Sequence, residues 1–299
     1  MTNIPENITI VGAGTQGSML GFRSAVFGRK VCIFDISAEA TQKALEKIKV
    51  WLDEWIAEGK ITSDFAALAY ANVTQSSDLK EALMDADIVI ENIPEILELK
   101  QRVWTDIDIA APEKTLITTN SSSLKASDIG KFVKRKDKTF NVNFMTPTKD
   151  DMVEVMWNTN TSETTKEAAI AFLKAQNNVP IITTIEIKGF SLNRVWRAMK
   201  KECLKLWANG YISPEDFDRA WILEWGTPYG PFALMDKVGI DIVKQIEMTY
   251  YDESQDLNDI PPKALDDMIE KGWLGVKSGK GFYEYPNPAF EKTGWLRGE

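Results

Sequence analysis

Up to about residue 184, short runs of β-branched and other apolar residues alternate with stretches whose apolar positions recur at helical spacing. The short runs predict strands over 7–11, 31–35, 88–91, 115–118, 139–143, 152–157 and 179–184. Between the second and third of these, Leu45, Ile48, Leu52, Trp55 and Ile56 predict a helix over 38–58, and 62–71 continues it as a second arm. Strands alternating with helices are the signature of a parallel sheet with crossover helices. From Gly189 onward the pattern turns helical, with amphipathic stretches at 190–209, 214–224, 240–252 and around 261–271. Ser213-Pro214-Glu215-Asp216 is a helix start: a capping serine, proline at the first helical position, then acids in the first turn. The expected fold class is α/β, a Rossmann-type doubly wound sheet over residues 1–187, followed by an all-α domain over 188–299.

Composition narrows the chemistry. The 35 basic residues against 44 acidic ones give a net charge of −9, which argues against a nucleic-acid partner but not against a small phosphate-bearing ligand held locally. No apolar run approaches the ~18 residues that cross a bilayer, so no membrane partner is expected. The N-terminal MTNIPENITIV lacks the basic and apolar regions of a secretory signal. Cys32 and Cys203 are too few and too far apart for a disulfide framework or a metal cluster, and no metal is expected. These features point to the cytoplasm. The chain has no histidine. Ser–His–Asp catalysis, histidine metal ligands and histidine general bases are therefore all excluded, and any proton must be handled by another group, by substrate or by water.

Gly12-Ala13-Gly14-Thr15-Gln16-Gly17 follows the first predicted strand and precedes a helical stretch over 18–27. In that context G-x-G-x-x-G cradles a dinucleotide. Gly12 allows the tight turn, Gly14 lets backbone approach a pyrophosphate, and Gly17 lets helix and strand pack closely. Asp35, 18 residues beyond Gly17 at the end of the next strand, can accept hydrogen bonds from both ribose hydroxyls and repels a 2′-phosphate. The expected cofactor is NAD rather than NADP.

Further segments are recognisable together: IVGAGTQGS, ADIVIENIPEILELK, TTNSSSL, MVEV, KGFSLNR, GTPYGPFALMDKVGID and LGVKSGKGFYEY. With them the chain resembles the 3-hydroxyacyl-CoA dehydrogenase family over nearly its whole length, especially the stand-alone 3-hydroxybutyryl-CoA dehydrogenase type. The resemblance implies an NAD-binding domain, a helical domain that forms a homodimer, and a small-molecule substrate bound in a cleft. It places Glu95 and Lys100 beside the nicotinamide half of NAD and Asn120 on the same polar loop as Ser122. Ser122 and Asn193 come within hydrogen-bonding reach of the substrate oxygen, and Phe190, Leu192 and Val195 surround Asn193 with apolar residues.

One motif departs from the family. The resemblance implies a base histidine in a His-Phe-Phe-Asn-Pro type turn, oriented by a glutamate in the next strand. Here the turn reads Asn143-Phe144-Met145-Thr146-Pro147, and the strand carries Glu154. An amide has no useful acid or base capacity, so Asn143 is expected to orient the substrate as a hydrogen-bond donor. Three readings stay open. In the first, the protein is an NAD-dependent oxidoreductase in which Glu154, or Lys149 in the altered turn, handles the proton. In the second, the substrate is a small carbonyl or an imine rather than an acyl-CoA. In the third, the protein is an NAD-binding relative of low activity. The basic run 134–138 is a candidate contact for CoA phosphates, and Trp196, three residues after Asn193, is a candidate pocket wall.

Overall fold

In the first strand, β1 (Asn7–Val11), Ile8 and Ile10 pack into one apolar cluster and Val11 into another, and all three are buried. Strand residues alternate faces, so burial on both sides requires helices above and below the sheet. The computed structural model describes residues 4–148 and 151–298. It divides into two compact units, Met1–Ser191 and Leu192–Glu299.

In the first unit, β1 leads through α1 (Thr15–Val26) to β2 (Lys30–Phe34), then through α2 (Ala38–Ala57) and α3 (Ser63–Ala71) to β3 (Val73–Ser76). The chain returns through α4 (Leu79–Leu83) to β4 (Ile88–Glu91) and through α5 (Leu97–Ala110) to β5 (Leu116–Thr119). After α6 (Ala126–Ile129) come β6 (Thr139–Phe144), β7 (Met152–Trp157), α7 (Glu163–Ala175) and β8 (Val179–Thr183). The eight strands form one sheet in the order β3-β2-β1-β4-β5-β6-β7-β8. All neighbours are parallel except β6 and β7. The order reverses between β1 and β4, the place where doubly wound sheets open a ligand crevice at the strands' carboxyl ends.

Leu20, Phe22, Ile48, Leu52 and Phe172 cover one face of the sheet. Edge-on contacts of Phe22 with Trp51 (5.8 Å) and Trp55 (4.9 Å) lock α1 to α2. Leu83, Trp104, Ile107 and Ile129 cover the other face.

The doubly wound sheet matches the expected class, with differences in detail. β3 was not predicted. Its four residues bury only Val73 fully, so its sequence lacks the apolar run of the central strands. Helix α1 starts at Thr15 rather than 18, because the Ser18 N–H already donates to the Gly14 carbonyl at 2.9 Å. β5 starts one residue later than expected.

The second unit is helical, with α8 (Ser191–Ala208) entering it from the boundary, then α9 (Pro214–Trp225), α10 (Pro231–Val238), α11 (Ile240–Ser254) and α12 (Ala264–Glu270). Leu204, Phe232, Met235, Ile240, Val243 and Leu265 form its core. Lys200 and Arg197 meet Glu247 at 2.8 and 3.1 Å and tie α8 to α11. Ser213 caps α9 as expected, accepting from the Asp216 N–H at 3.0 Å. Helix α10 lies outside the expected helical stretches. Its cap is the buried Asp218, which accepts from the N–H groups of Phe232 (2.9 Å) and Ala233 (2.8 Å), and so comes from outside the local sequence.

Candidate active site

The glycine loop joins β1 to α1 at the switch point. Gly12 has φ +108°, and a Cβ there would lie 2.7 Å from the Asn92 carbonyl oxygen. A Cβ on Gly17 would lie 1.9 Å from the Gly12 oxygen, so both glycines are fixed by close backbone contact. Gly14 is different: nothing stands within 4 Å of its missing Cβ. Thr15 and Gln16 are exposed on the first turn of α1, which carries no acidic residue and no side-chain cap. An uncapped helix N-terminus with open space before it fits the pyrophosphate of a dinucleotide. Asp35, just past β2, accepts from the Ala13 N–H through Oδ2 and from the Ser37 N–H through Oδ1, both at 3.0 Å. The ribose-binding candidate is therefore pinned to the glycine loop.

On the other side of the switch point, β4 ends in Glu91, whose side chain is fully buried. Lys100, on α5, is 1% exposed, and its Nζ lies 2.6 Å from Glu91 Oε1, 3.0 Å from the Ile93 carbonyl and 3.3 Å from Glu95 Oε2. All three ammonium hydrogens thus have protein partners. Glu95 Oε1 accepts from the hydroxyls of Ser121 and Ser123. Burial pushes the Glu95 carboxyl up, but the two serine hydroxyls and Lys100 outweigh it and hold it below the ordinary range. Burial pushes the Glu91 carboxyl up against the opposing pull of Lys100.

Ser122, between the two serines held by Glu95, is exposed. Asn120 directs Oδ1 to the Phe144 N–H at 2.8 Å and so braces the turn after β6. Gln16 braces the same turn from α1, its Nε2 lying 3.2 Å from the Met145 carbonyl. Asn143 and Glu154 are cross-strand partners in the antiparallel β6–β7 pair. Both are buried, and Asn143 Nδ2 donates to Glu154 Oε2 at 3.1 Å and to Met145 Sδ at 3.7 Å. Both amide hydrogens are engaged, and Asn143 Oδ1 accepts no hydrogen bond among the described residues.

Asn193 lies in the second unit, half-buried at the start of α8. Of the apolar residues expected to surround it, Phe190 is buried, whereas Leu192 and Val195 are 46% and 68% exposed. Trp196 packs against the core of its own unit. In the basic run, Arg135 is spent on Asp108 and on the carbonyls that end α5. Lys149 lies outside the described residues. Sequence reasoning missed Glu91 and Thr119, although an acid closing an apolar strand nine residues before a lysine was a visible signal.

Residues 7–187 match the NAD-binding domain of 3-hydroxyacyl-CoA dehydrogenase, and residues 189–285 match its C-terminal domain. The chain is 33% identical over 291 residues to a probable 3-hydroxyacyl-CoA dehydrogenase of Caenorhabditis elegans, covering 94% of this chain and 93% of that one. It is 31% identical to the 3-hydroxybutyryl-CoA dehydrogenase of Clostridioides difficile, covering 93% and 99% of the two chains. Among solved structures, the (S)-3-hydroxybutyryl-CoA dehydrogenase of Ralstonia eutropha superposes with a TM-score of 0.84 at 31% identity, covering 94% and 99%. The glycine cradle thus sits in a chain that belongs to the 3-hydroxyacyl-CoA dehydrogenase family, with NAD as its cofactor.

Proposed function

We propose that the protein interconverts 3-hydroxyacyl-CoA and 3-oxoacyl-CoA with NAD(H) in a site that works without histidine. The observation that carries this reading is the buried Asn143–Glu154 pair. It stands where the family resemblance puts a histidine and its orienting glutamate. NAD supplies the hydride acceptor, and NADH the donor. The chain binds the pyrophosphate at Gly14, Thr15 and Gln16 and selects the 2′-hydroxyl at Asp35. Ser122 polarises the substrate oxygen. Asn143 holds the Glu154 carboxylate through Nδ2. Glu154 is the one ionisable group of this set, and its carboxylate takes the hydroxyl proton in oxidation and returns it in reduction.

The helical unit is read as a homodimerisation surface. Leu223 and Trp225 on α9 and Ile242 and Ile246 on α11 are exposed, and a monomer in sedimentation at micromolar concentration contradicts this part. No helix among the described residues is long and apolar enough to cross a membrane. With both cysteines free, the protein is assigned to the reducing cytoplasm. The deciding experiment follows NADH absorbance when purified protein meets acetoacetyl-CoA and longer 3-oxoacyl-CoAs. Oxidation is expected, and no turnover with any of them sinks the reading.

A further inference from the structure

Five side chains at the carboxyl ends of β4 and β5 close a ring. Glu91 accepts from Lys100, Lys100 also meets Glu95, and Glu95 holds the Ser121 hydroxyl. The Ser121 N–H donates to Thr119 Oγ1 at 3.1 Å, and the Thr119 hydroxyl donates to Glu91 Oε2 at 2.9 Å. Glu95 also holds Ser123, so both neighbours of the exposed Ser122 hang on one carboxylate. The Ser121 hydroxyl in turn accepts from the N–H groups of Ser123 (3.3 Å) and Leu124 (2.8 Å), which sets the curvature of the loop.

We propose that Glu91 is a positioning residue for Ser122, acting through Lys100 and Glu95 on one arm and through Thr119 on the other. Its side chain is fully buried. A buried ion pair is weak evidence for stability, because an apolar pair of equal volume often serves as well. What an apolar pair cannot do is hold a third, half-exposed carboxylate at a fixed place. Lys100 does this by spending one hydrogen on Glu95 while Glu91 and the Ile93 carbonyl fix the other two. With a neutral side chain at 91, the ammonium loses its closest counter-charge, Glu95 loses a fixed anchor, and Thr119 loses the acceptor that orients its oxygen toward Ser121.

The role assigned to Ser122 rests on the proposed function, whereas the ring does not. The test therefore has two arms on the full-length protein. In the first, amide hydrogen exchange is compared for the parent, Glu91→Gln, Glu95→Gln and the double variant. Exchange at Ser123 and Leu124 should rise about tenfold or more in each single variant, the scale of one charge-assisted hydrogen bond. The glycine loop should be unchanged, and the double variant should be no faster than the faster single one. Unchanged exchange at 121–124, additive effects, or a rise spread evenly over the unit overturns the proposal. Glu95 is partly exposed, so Glu95→Gln keeps the test alive if Glu91→Gln does not fold. In the second arm, kcat on a 3-oxoacyl-CoA should fall about tenfold in Glu91→Gln at saturating NADH, and an unchanged kcat also overturns the proposal. If the parent itself turns over no such substrate, the proposed function fails and the exchange arm alone decides the ring.

Discussion

Asn143 and Glu154 face each other across the antiparallel β6–β7 pair, 3.1 Å apart at Nδ2 and Oε2 and buried on both sides. The pairing is set by strand register, so it holds for whatever side chain stands at 143, and a one-residue slip would send both residues to the opposite face. The turn that joins these strands is braced by Asn120 and Gln16, and Arg23 of α1 reaches the Pro147 carbonyl at 2.9 Å. Helix α1 thus turns its flank to the connection between β6 and β7.

The three glycines of the loop should respond differently to alanine. Gly17→Ala drives a Cβ into the Gly12 backbone and should cost about 3 kcal/mol of stability. Gly14→Ala meets no protein atom, so stability should stay within about 1 kcal/mol while NADH binding weakens at least about tenfold, because the methyl occupies the pyrophosphate's approach. Thermal unfolding and fluorescence titration separate the two effects. A Gly14→Ala protein that binds NADH normally removes the cradle from the cofactor site.

Asp35 should govern cofactor choice. Its carboxylate is fixed by the Ala13 and Ser37 N–H groups and cannot swing clear of a 2′-phosphate without breaking both bonds. Asp35→Ala should reduce the preference for NADH over NADPH by about tenfold, the scale of one charge–charge contact. Equal affinities of the parent protein for the two cofactors would contradict the assignment outright.

The pH dependence of stability should carry a mark from Asp218. Burial pushes its carboxyl up to about 6, although the Phe232 and Ala233 N–H groups and the Tyr283 hydroxyl pull it down. The folded value lies above the unfolded one, so this group's contribution is full below pH 3.8 and is lost as pH rises toward 6. Asp236, also pushed up by burial, adds in the same direction. Asp259 is held far below the usual range by Lys201, Ser254 and Arg197, so its contribution is present above pH 3.8 and is lost only as pH falls below that, outside this window. Between pH 4.5 and 6.5 the helical unit should therefore lose about 2 kcal/mol from Asp218. Asp218→Asn is less stable throughout, because an amide cannot accept from both N–H groups, but it should lack that slope. Denaturation midpoints across the window check this, and an identical slope in the variant removes Asp218 as the cause.

The sheet was legible because its central strands are apolar on both faces and the glycine loop marks the first crossover. β3 was not, because an edge strand with one fully buried residue has no periodic signal. α10 was hidden because its cap, Asp218, lies 14 residues from the N–H it serves. The candidate site was legible residue by residue, through the spacing of Gly12, Asp35 and the serine tract. What no linear pattern displays is closure. Glu91, Lys100, Glu95, Ser121 and Thr119 span three segments, and only β4–β5 pairing, with Glu91 opposite Thr119, makes them one ring.

Asn143→His tests the proton path most directly. A histidine there inherits the register that places Asn143 opposite Glu154, so its ring N–H meets the same carboxylate, which raises the basicity of the other nitrogen. A positioned general base contributes about 10²–10⁴ in rate, so Asn143→His should raise kcat/KM on acetoacetyl-CoA by about 10² or more. The rate profile should also gain a limb near pH 6–7, about where imidazole titrates, which the histidine-free parent lacks. Glu154→Gln in the parent should abolish turnover and leave NADH affinity unchanged, since Glu154 lies on β7, away from the glycine loop. In the Asn143→His background the same change should cost less, because imidazole has taken over the proton and the carboxylate only orients it. If Asn143→His gains nothing while the parent turns over acetoacetyl-CoA well, proton transfer does not run through this pair. If Glu154→Gln is fully active, the carboxylate is structural, and the proton must come from outside the β6–β7 strand pair.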